Sequence, residues 1–401
     1  MGTLLCRSGH ETRFAGGCVR DLLLGQEPKD YDLATTAHPE IVSQILKSEK
    51  IKAIPTGISH GTLTAVLNKV PVEVTTLRRD ISCDGRHAVV EFTTSFEEDA
   101  KRRDFTINAL FQGMDGQIFD YIGGVSDLQQ KKLRFVGSAS NRISEDALRV
   151  IRYFRFLARF RWAFHEPYEQ LFRASAEKLS ILSKERIKNE FDELLLNDTG
   201  EILNKMDRLG LLTRLFNGMS TQQNLSVNLF TDFPNNLNQI AWRWFMLFFQ
   251  KCPETAMLTE VGREARLTKK ERYLMSSLQK IHEDLVADRT GILPLIKMIK
   301  RKLASASDLH TFFAWVQKKK FFSVPAITLK LLNTIDNQTV PSISKKLKLV
   351  QPPEKRKQIA FLFEISWYLG LSNLEDVLNI DTLIRNLKKQ GFHAEKEFYD
   401  T

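Results

Sequence analysis

Gly16-Gly17-Cys18-Val19-Arg20-Asp21, followed by Asp30-Tyr31-Asp32, is the stretch on which the fold of this 401-residue chain turns. Arg13-Phe14-Ala15 before it reads as a short strand. Val19–Leu24 reads as a helix closed by Gly25, and Tyr31–Ala34 as a second strand. A glycine pair between strand and helix lets backbone N–H groups approach a triphosphate, with Arg20 one turn inside to add charge. On a strand, positions 30 and 32 point to one face. Two carboxylates side by side repel each other, and a shared divalent cation removes that penalty. Hard oxygen ligands favour Mg2+, completed by water and substrate phosphates. Such a pair suits nucleotidyl transfer, in which one ion activates a hydroxyl and another holds the triphosphate. Glu73 interrupts the apolar run Val72-Glu73-Val74. It either supports this site from a neighbouring strand or faces outward.

Outward from this stretch, glycine divides the chain: 13 of the 20 glycines fall within residues 1–137. That part is turn-rich and reads as mixed α and β. Gly61–Leu67 and Val70–Leu77 are β-rich runs around Asn68-Lys69, a hairpin pattern. Val89–Thr94 and Ile118–Tyr121 are further strand candidates, and Phe105–Leu110 has helical spacing. Beyond residue 137 the pattern is helical. Ser144 is placed to cap a helix from Glu145 to about Arg161, and Ser183 one from Lys184 to about Leu196. Thr268 with Glu271 forms a capping box, and Pro294 suits a first helical turn. The expected class is α+β: a mixed α/β head with a small sheet over 1–137, then helical segments over 138–220, 221–300 and 301–401.

Hydrophobic residues make up 43% and charged residues 26% of the chain, ordinary values for a water-soluble fold. No apolar run is long enough to span a membrane. Met1–Phe14 lacks the apolar centre of a signal peptide. Cys6, Cys18, Cys83 and Cys252 are scattered, which suggests neither a zinc site nor disulfides and fits a reducing compartment: cytoplasm, mitochondrion or nucleus. The eight histidines show no metal-ligand spacing, so carboxylates should hold any metal.

Net charge is +10, unevenly placed. Residues 1–137 carry 17 basic and 18 acidic side chains; the remainder carries 41 and 30, a net +11. That asymmetry suits a near-neutral catalytic head on a polyanion-binding body. Basic runs at Lys300-Arg301-Lys302, Lys318-Lys319-Lys320, Lys345-Lys346, Lys355-Arg356-Lys357 and Lys388-Lys389 are candidate phosphate contacts. Phe312, Phe313, Trp315, Phe321 and Phe322 among them fit a helix core better than a base-stacking surface.

Gly-Gly-x-Val-Arg-Asp-x-Leu-Leu-Gly followed by Asp-x-Asp-Leu-Ala-Thr resembles the head signature of class II tRNA nucleotidyltransferases, within the DNA polymerase beta-type superfamily. Arg102-Arg103-Asp104-Phe105-Thr106-Ile107-Asn108-Ala109, Asp120-Tyr121-Ile122-Gly123-Gly124, Glu145-Asp146-Ala147-Leu148-Arg149 and, more weakly, Glu185-Arg186-Ile187-Lys188-Asn189-Glu190 follow in the family's order. Together they cover roughly residues 13–196.

The resemblance implies that the four segments are head, neck, body and tail. It implies that Asp30 and Asp32 hold Mg2+. It places Gly16, Gly17, Arg20, Arg103, Asp104 and Asn108 at the nucleotide. Asp146 and Arg149 would read the incoming base, with Arg152 and Arg155 extending their basic face. The chemistry agrees. Arginine donates and carboxylate accepts, which matches cytosine (acceptor N3, donor N4) and adenine (acceptor N1, donor N6). Uracil and guanine present the reverse pattern, a mismatch of about 1–3 kcal/mol per group. Arg78–Phe92, with Asp84-Gly85-Arg86-His87, resembles the family's flexible loop associated with the switch from C to A addition. The implied activity is addition of CCA to tRNA 3′ ends from CTP and ATP by a monomer or homodimer. A CC-adding or A-adding enzyme, a poly(A) polymerase and a catalytically silent RNA-binding protein are the alternatives.

Overall fold

A computed structural model describes residues 1–58, 61–67, 70–83, 88–217, 219, 225, 229–234, 239–251, 255–286, 304 and 306–319. The chain divides into two compact units, Met1–Asn217 with Asn224–Asn228, and Gly218–Gln223 with Leu229–Thr401.

The first unit is built on a seven-stranded sheet. Its strands are β1 (Thr12–Ala15), β2 (Tyr31–Thr35), β3 (Lys52–Gly57), β4 (Thr62–Leu67), β5 (Val70–Thr76), β8 (Leu110–Gln112) and β9 (Ile118–Asp120). They lie in the order β3-β4-β5-β2-β1-β8-β9. Among the described residues only the β2–β5 pair is parallel; it sets Asp32 opposite Glu73 and Leu33 opposite Val74. Strand alternation then sorts the faces. Leu33, Val74, Leu63 and Ala65 pack with Leu5 of α1 (Gly2–Arg7) and with Val42 and Leu46 of α3 (Pro39–Ser48). Ala34, Ala15 and Phe111 face the other way, against Phe96 and Ala100 of α4 (Phe96–Arg102). Each such fully buried large side chain contributes roughly 1.5–3 kcal/mol of apolar burial. Asp32 shares the parity of Ala34, and Glu73 is out of phase with Val74, so both carboxylates belong to the α4 side.

Among the described residues, every element after Asp120 is helical. In the first unit these include α5 (Gly124–Gln129), α6 (Ala139–Glu145), α7 (Leu148–Phe160), α8 (Glu169–Leu179), α9 (Lys184–Asn197), α10 (Glu201–Arg208) and α11 (Leu211–Leu215). Tyr153, Phe154 and Phe156 of α7 join Phe105, Phe135 and Phe172 in one aromatic core. Asp120 accepts the N–H groups of Ile122, Gly123, Gly124 and Val125 and so holds the start of α5. The Asp-Tyr-Ile-Gly-Gly motif is thus a helix-capping turn. A Cβ on Gly124 would fall 2.3 Å from the Thr106 carbonyl oxygen, so only glycine fits there.

Described elements of the second unit are α12 (Gln239–Lys251), α13 (Thr255–Glu264), α14 (Lys269–Val286) and α15 (Ala306–Lys318). Trp242 and Phe245 meet Phe312 at 4.4 and 6.3 Å between ring centroids. Phe312, Phe313 and Trp315 are buried core, as their spacing suggests. The capping box forms: Thr268 donates its N–H to Glu271, and its hydroxyl accepts the Glu271 N–H. Ser183 likewise accepts the Arg186 N–H at the head of α9.

Several expectations are corrected. The helix expected over 145–161 breaks at Asp146, whose backbone is extended (φ −155°, ψ 105°). Its carboxylate takes the Leu148 N–H and starts α7 afresh, the local competition that short acidic side chains offer a helix. The helix read at Phe105–Leu110 is a single 3-10 turn, Thr106–Asn108, followed by β8. Phe105 bridges to Phe135, and the Leu110 carbonyl accepts the Gly16 N–H, so sheet contacts override helical spacing there. Within the Arg78–Phe92 segment, β6 (Arg78–Cys83) and β7 (Ala88–Phe92) pair as a two-stranded ribbon, which agrees with the strand expected at Val89–Thr94. Residues 68–69, 84–87, 294 and 320–401 lie outside the described residues, and with them the hairpin turn, the loop tip and most of the basic runs.

Candidate active site

The glycine turn ends β1 and opens α2 (Gly17–Leu23). Gly16 sits at φ 72° and ψ −121°, a conformation reserved for glycine. A Cβ there would lie 2.8 Å from Nη1 of Arg103. Arg103 in turn donates to the Gly16-side carbonyl of Asn108 at 3.2 Å and to Asp99 at 3.0 Å. Asp99, fully buried on α4, also takes Arg102 and the Arg78 N–H. Burial alone would raise its carboxyl; Arg103 and Arg102 hold it below the ordinary value.

Arg20 lies beneath the turn, 4% exposed. It donates to Asp21 at 2.8 Å and to Asn108 at 2.5 Å, under the rings of Phe156 and Phe160. Burial lowers its pKa, against the pull of Asp21. Arg20 therefore stands as a strut behind the turn, with the Gly17 Cβ position 3.6 Å above it.

Asp30 immediately precedes β2, and Asp32 lies on it. Burial first, then the neighbouring Glu73 charge, pushes the Asp32 carboxyl up to about 6; Arg103 opposes this and Asp30 adds to it. Three carboxylates thus crowd one side of the sheet where the interior strands β2 and β5 run parallel. The donor set is all oxygen. Among the described residues no group of three or more His, Cys, Asp or Glu encloses an ion without help. Phosphate oxygens and water would have to complete the shell of any divalent cation held here.

A chain of ion pairs ties this turn to α7. Asp104 accepts Arg152 Nε at 2.9 Å, the Asn108 amide at 3.0 Å and the Phe105 N–H at 2.8 Å. Burial would raise Asp104, but Arg152 and these donors hold it low. Arg152 also reaches Glu190 of α9 at 2.8 Å. Arg155 Nε lies 2.7 Å from Glu190, a charge contact without hydrogen-bond alignment. Burial lowers the Arg155 pKa against Glu190, and the nearby Arg152 charge adds to that. Its Nη groups meet no acceptor among the described residues. One helical turn on, Arg159 pairs with Asp21 at 2.8 Å.

Asp146 and Arg149 do not pair. Arg149 donates to Glu145 at 2.5 Å and to the Arg142 carbonyl at 2.9 Å. Asp146 is bound by Arg186 of α9 at 2.6 Å. Both remain on the α6–α7 corner, with 12% and 20% of their side chains exposed. Asp84, Gly85, Arg86 and His87 lie outside the described residues.

The sequence reading omitted Asp21, Asp99, Arg159 and Glu190 as partners. Two had a signal. Arg159 continues the helical series 149, 152, 155, and Asp99 stands four residues before Arg103 on α4. Asp21–Arg159 spans 138 residues and had none.

Two family models match. "Poly A polymerase head domain" covers residues 12–134. "Probable RNA and SrmB-binding site of polymerase A" covers 163–222. The mitochondrial CCA tRNA nucleotidyltransferase 1 of Danio rerio is 48% identical over 53% of this chain and 50% of its own length. That of Mus musculus is 39% identical over 73% of this chain and 68% of its own. In fold, the chain superposes on the Bacillus stearothermophilus CCA-adding enzyme in complex with CTP with a TM-score of 0.72. That match has 24% identity and covers 97% of this chain and 96% of that one. Sharing this extent of sequence with the mouse enzyme and this fold with the bacterial one, the chain belongs to the class II CCA tRNA nucleotidyltransferase family.

Proposed function

We propose that the protein adds CCA to tRNA 3′ ends without a nucleic-acid template, using CTP twice and then ATP. One observation carries the reading. The crowded Asp30–Asp32–Glu73 cluster and the Asp146–Arg149 corner belong to one compact unit, which the Asp104–Arg152–Glu190 pairs help to join. Transfer chemistry and base choice would therefore share one compact unit.

Asp30 and Asp32 would hold Mg2+, with Glu73 sharpening their need for it. When bound, the ions neutralise the triphosphate and lower the barrier to attack by the 3′-hydroxyl. Gly16 and Gly17 keep the turn bare so that backbone N–H groups can approach phosphate. Arg103 buttresses that turn, and Arg20 braces it from below. Arg155, whose Nη groups meet no acceptor among the described residues, would gain a partner in a nucleotide phosphate. Asp146 accepts from the exocyclic amine of cytosine or adenine, and Arg149 donates to the ring nitrogen. A base with the reversed pattern sets acceptor against acceptor at Asp146 and donor against donor at Arg149.

The test is a tRNA transcript lacking its 3′ CCA, incubated with Mg2+ and CTP, ATP or both, with product ends sequenced. Three added residues reading CCA are expected. Stopping at CC, or adding only A to a CC end, would restrict the activity. Long adenosine tails would indicate a poly(A) polymerase, and no addition an RNA-binding role.

A further inference from the structure

We propose that Arg186 is a positioning residue for nucleotide choice: it holds the Asp146 carboxylate in the orientation that accepts cytosine and adenine and refuses uracil and guanine. This rests on the reading of Asp146 as the base-reading acceptor.

Asp146 sits where the chain leaves α6 and has not yet entered α7: its N–H still donates to the Arg142 carbonyl at 3.3 Å, its own carbonyl takes the Arg149 N–H at 3.1 Å, and its φ and ψ are extended. Its side chain is fixed from two sides. Oδ1 takes the Leu148 N–H at 3.1 Å. Oδ2 takes Arg186 Nη2 at 2.6 Å. Arg186 lies in the first turn of α9, its own N–H bound by Ser183. The companion reader Arg149 is fixed by different groups, Glu145 and the Arg142 carbonyl on α6. The two reader side chains do not pair with each other, although the Arg149 N–H donates to the Asp146 carbonyl at 3.1 Å. The separation of their side-chain tips is set by how α6, α7 and α9 pack.

That arrangement has a consequence for selectivity. A carboxylate accepts on either oxygen and in several rotamers. One left to rotate could meet a ring N–H of uracil or guanine as readily as an exocyclic amine. Arg186 removes that freedom, because any rotation of Asp146 breaks a short charge-assisted bond. Discrimination here depends on holding the acceptor still as well as on its charge.

The experiment compares wild type, Arg186→Leu, Arg186→Lys and Asp146→Ala in single-nucleotide addition with CTP, UTP, ATP and GTP. Arg186→Leu is expected to lower the CTP:UTP and ATP:GTP ratios of kcat/KM by about tenfold or more. The KM for tRNA should stay unchanged. Arg186→Lys, which keeps a donor, should recover part of the ratio and covers the case in which the leucine variant folds poorly. A merely structural tie would lower kcat/KM alike for all four nucleotides. Such uniform loss, or ratios within twofold of wild type while Asp146→Ala collapses them, would overturn the proposal. Unchanged ratios in Asp146→Ala as well would overturn the base-reading role itself and this inference with it.

Discussion

Glu73 stands directly opposite Asp32 in the parallel β2–β5 pair, on the same face of the sheet. With burial, it drives the Asp32 carboxyl from 3.8 to about 6. The folded value lies above the ordinary one, so the folded state favours the protonated form. Stability from this group is present below the ordinary carboxylate value and is lost as pH rises through about 6. A divalent cation competes with that proton. The Mg2+ concentration for half-maximal activity is therefore expected to rise about tenfold per pH unit below 6 and to level off above it. Mg2+ titrations of initial rate at pH 5, 6, 7 and 8 check this. The same half-saturation at pH 5 and 8 would remove Asp32 from the metal site.

Glu73→Gln separates two roles for that residue. As an electrostatic neighbour, its neutralisation should move the acid limb of activity to lower pH and cost about 10–100-fold or less at pH 8. It should also raise the melting temperature of the metal-free protein above pH 6, because one like charge has gone. Asp32→Ala is the comparator and should abolish addition with the fold intact. If Glu73→Gln is as inactive as Asp32→Ala at every Mg2+ concentration, Glu73 is itself a ligand.

The two glycines of the turn should respond differently to alanine. Gly16 has φ 72°, and its Cβ would press on Arg103 at 2.8 Å. Gly16→Ala is expected to cost about 1–3 kcal/mol of stability and to reduce activity by displacing Arg103. Gly17 opens a helix, and its nearest neighbour to a Cβ is Arg20 at 3.6 Å, an ordinary contact. Gly17→Ala should change stability by less than about 1 kcal/mol. Urea unfolding of both variants measures this directly; equal losses would contradict the geometry.

What could be read from residues alone followed from how local each cause was. The β1–turn–α2–β2 unit was legible because glycines, alternation and helical spacing act within a few residues. The Ser183 and Thr268 caps were legible for the same reason. The break at Asp146 was hidden, since Ser144 before Glu145 also reads as a helix start and the amphipathic spacing of α7 follows directly. α1 and β3 were missed; β3 is a sheet-edge strand carrying Pro55, which weakens its strand pattern. The candidate site residues were named by motif, but the groups that bind them in the fold were not. Arg152 and Arg155 read as one basic face, yet Asp104 and Glu190 approach them from 48 and, for Arg152, 38 residues away. Pairing at that range depends on the packing of α7 against α9, which no short window contains.

Arg152 and Arg155 should therefore part company on mutation. Arg152 bridges Asp104 and Glu190 through three nitrogens, and both carboxylates are largely buried. Arg152→Gln strands two anions and should cost about 2–3 kcal/mol in urea unfolding. Arg155 offers only Nε to Glu190, in poor alignment, and keeps its Nη groups open. Arg155→Gln should cost less than about 1 kcal/mol. Its effect should fall on substrate, with the KM for CTP and ATP rising together by about tenfold, as expected when a charge-assisted phosphate contact is lost. Selectivity between bases should not change, because the phosphate is common to all nucleotides. An Arg155→Gln enzyme with wild-type KM for both nucleotides would leave Arg155 as a neighbour of the site with no hold on the triphosphate.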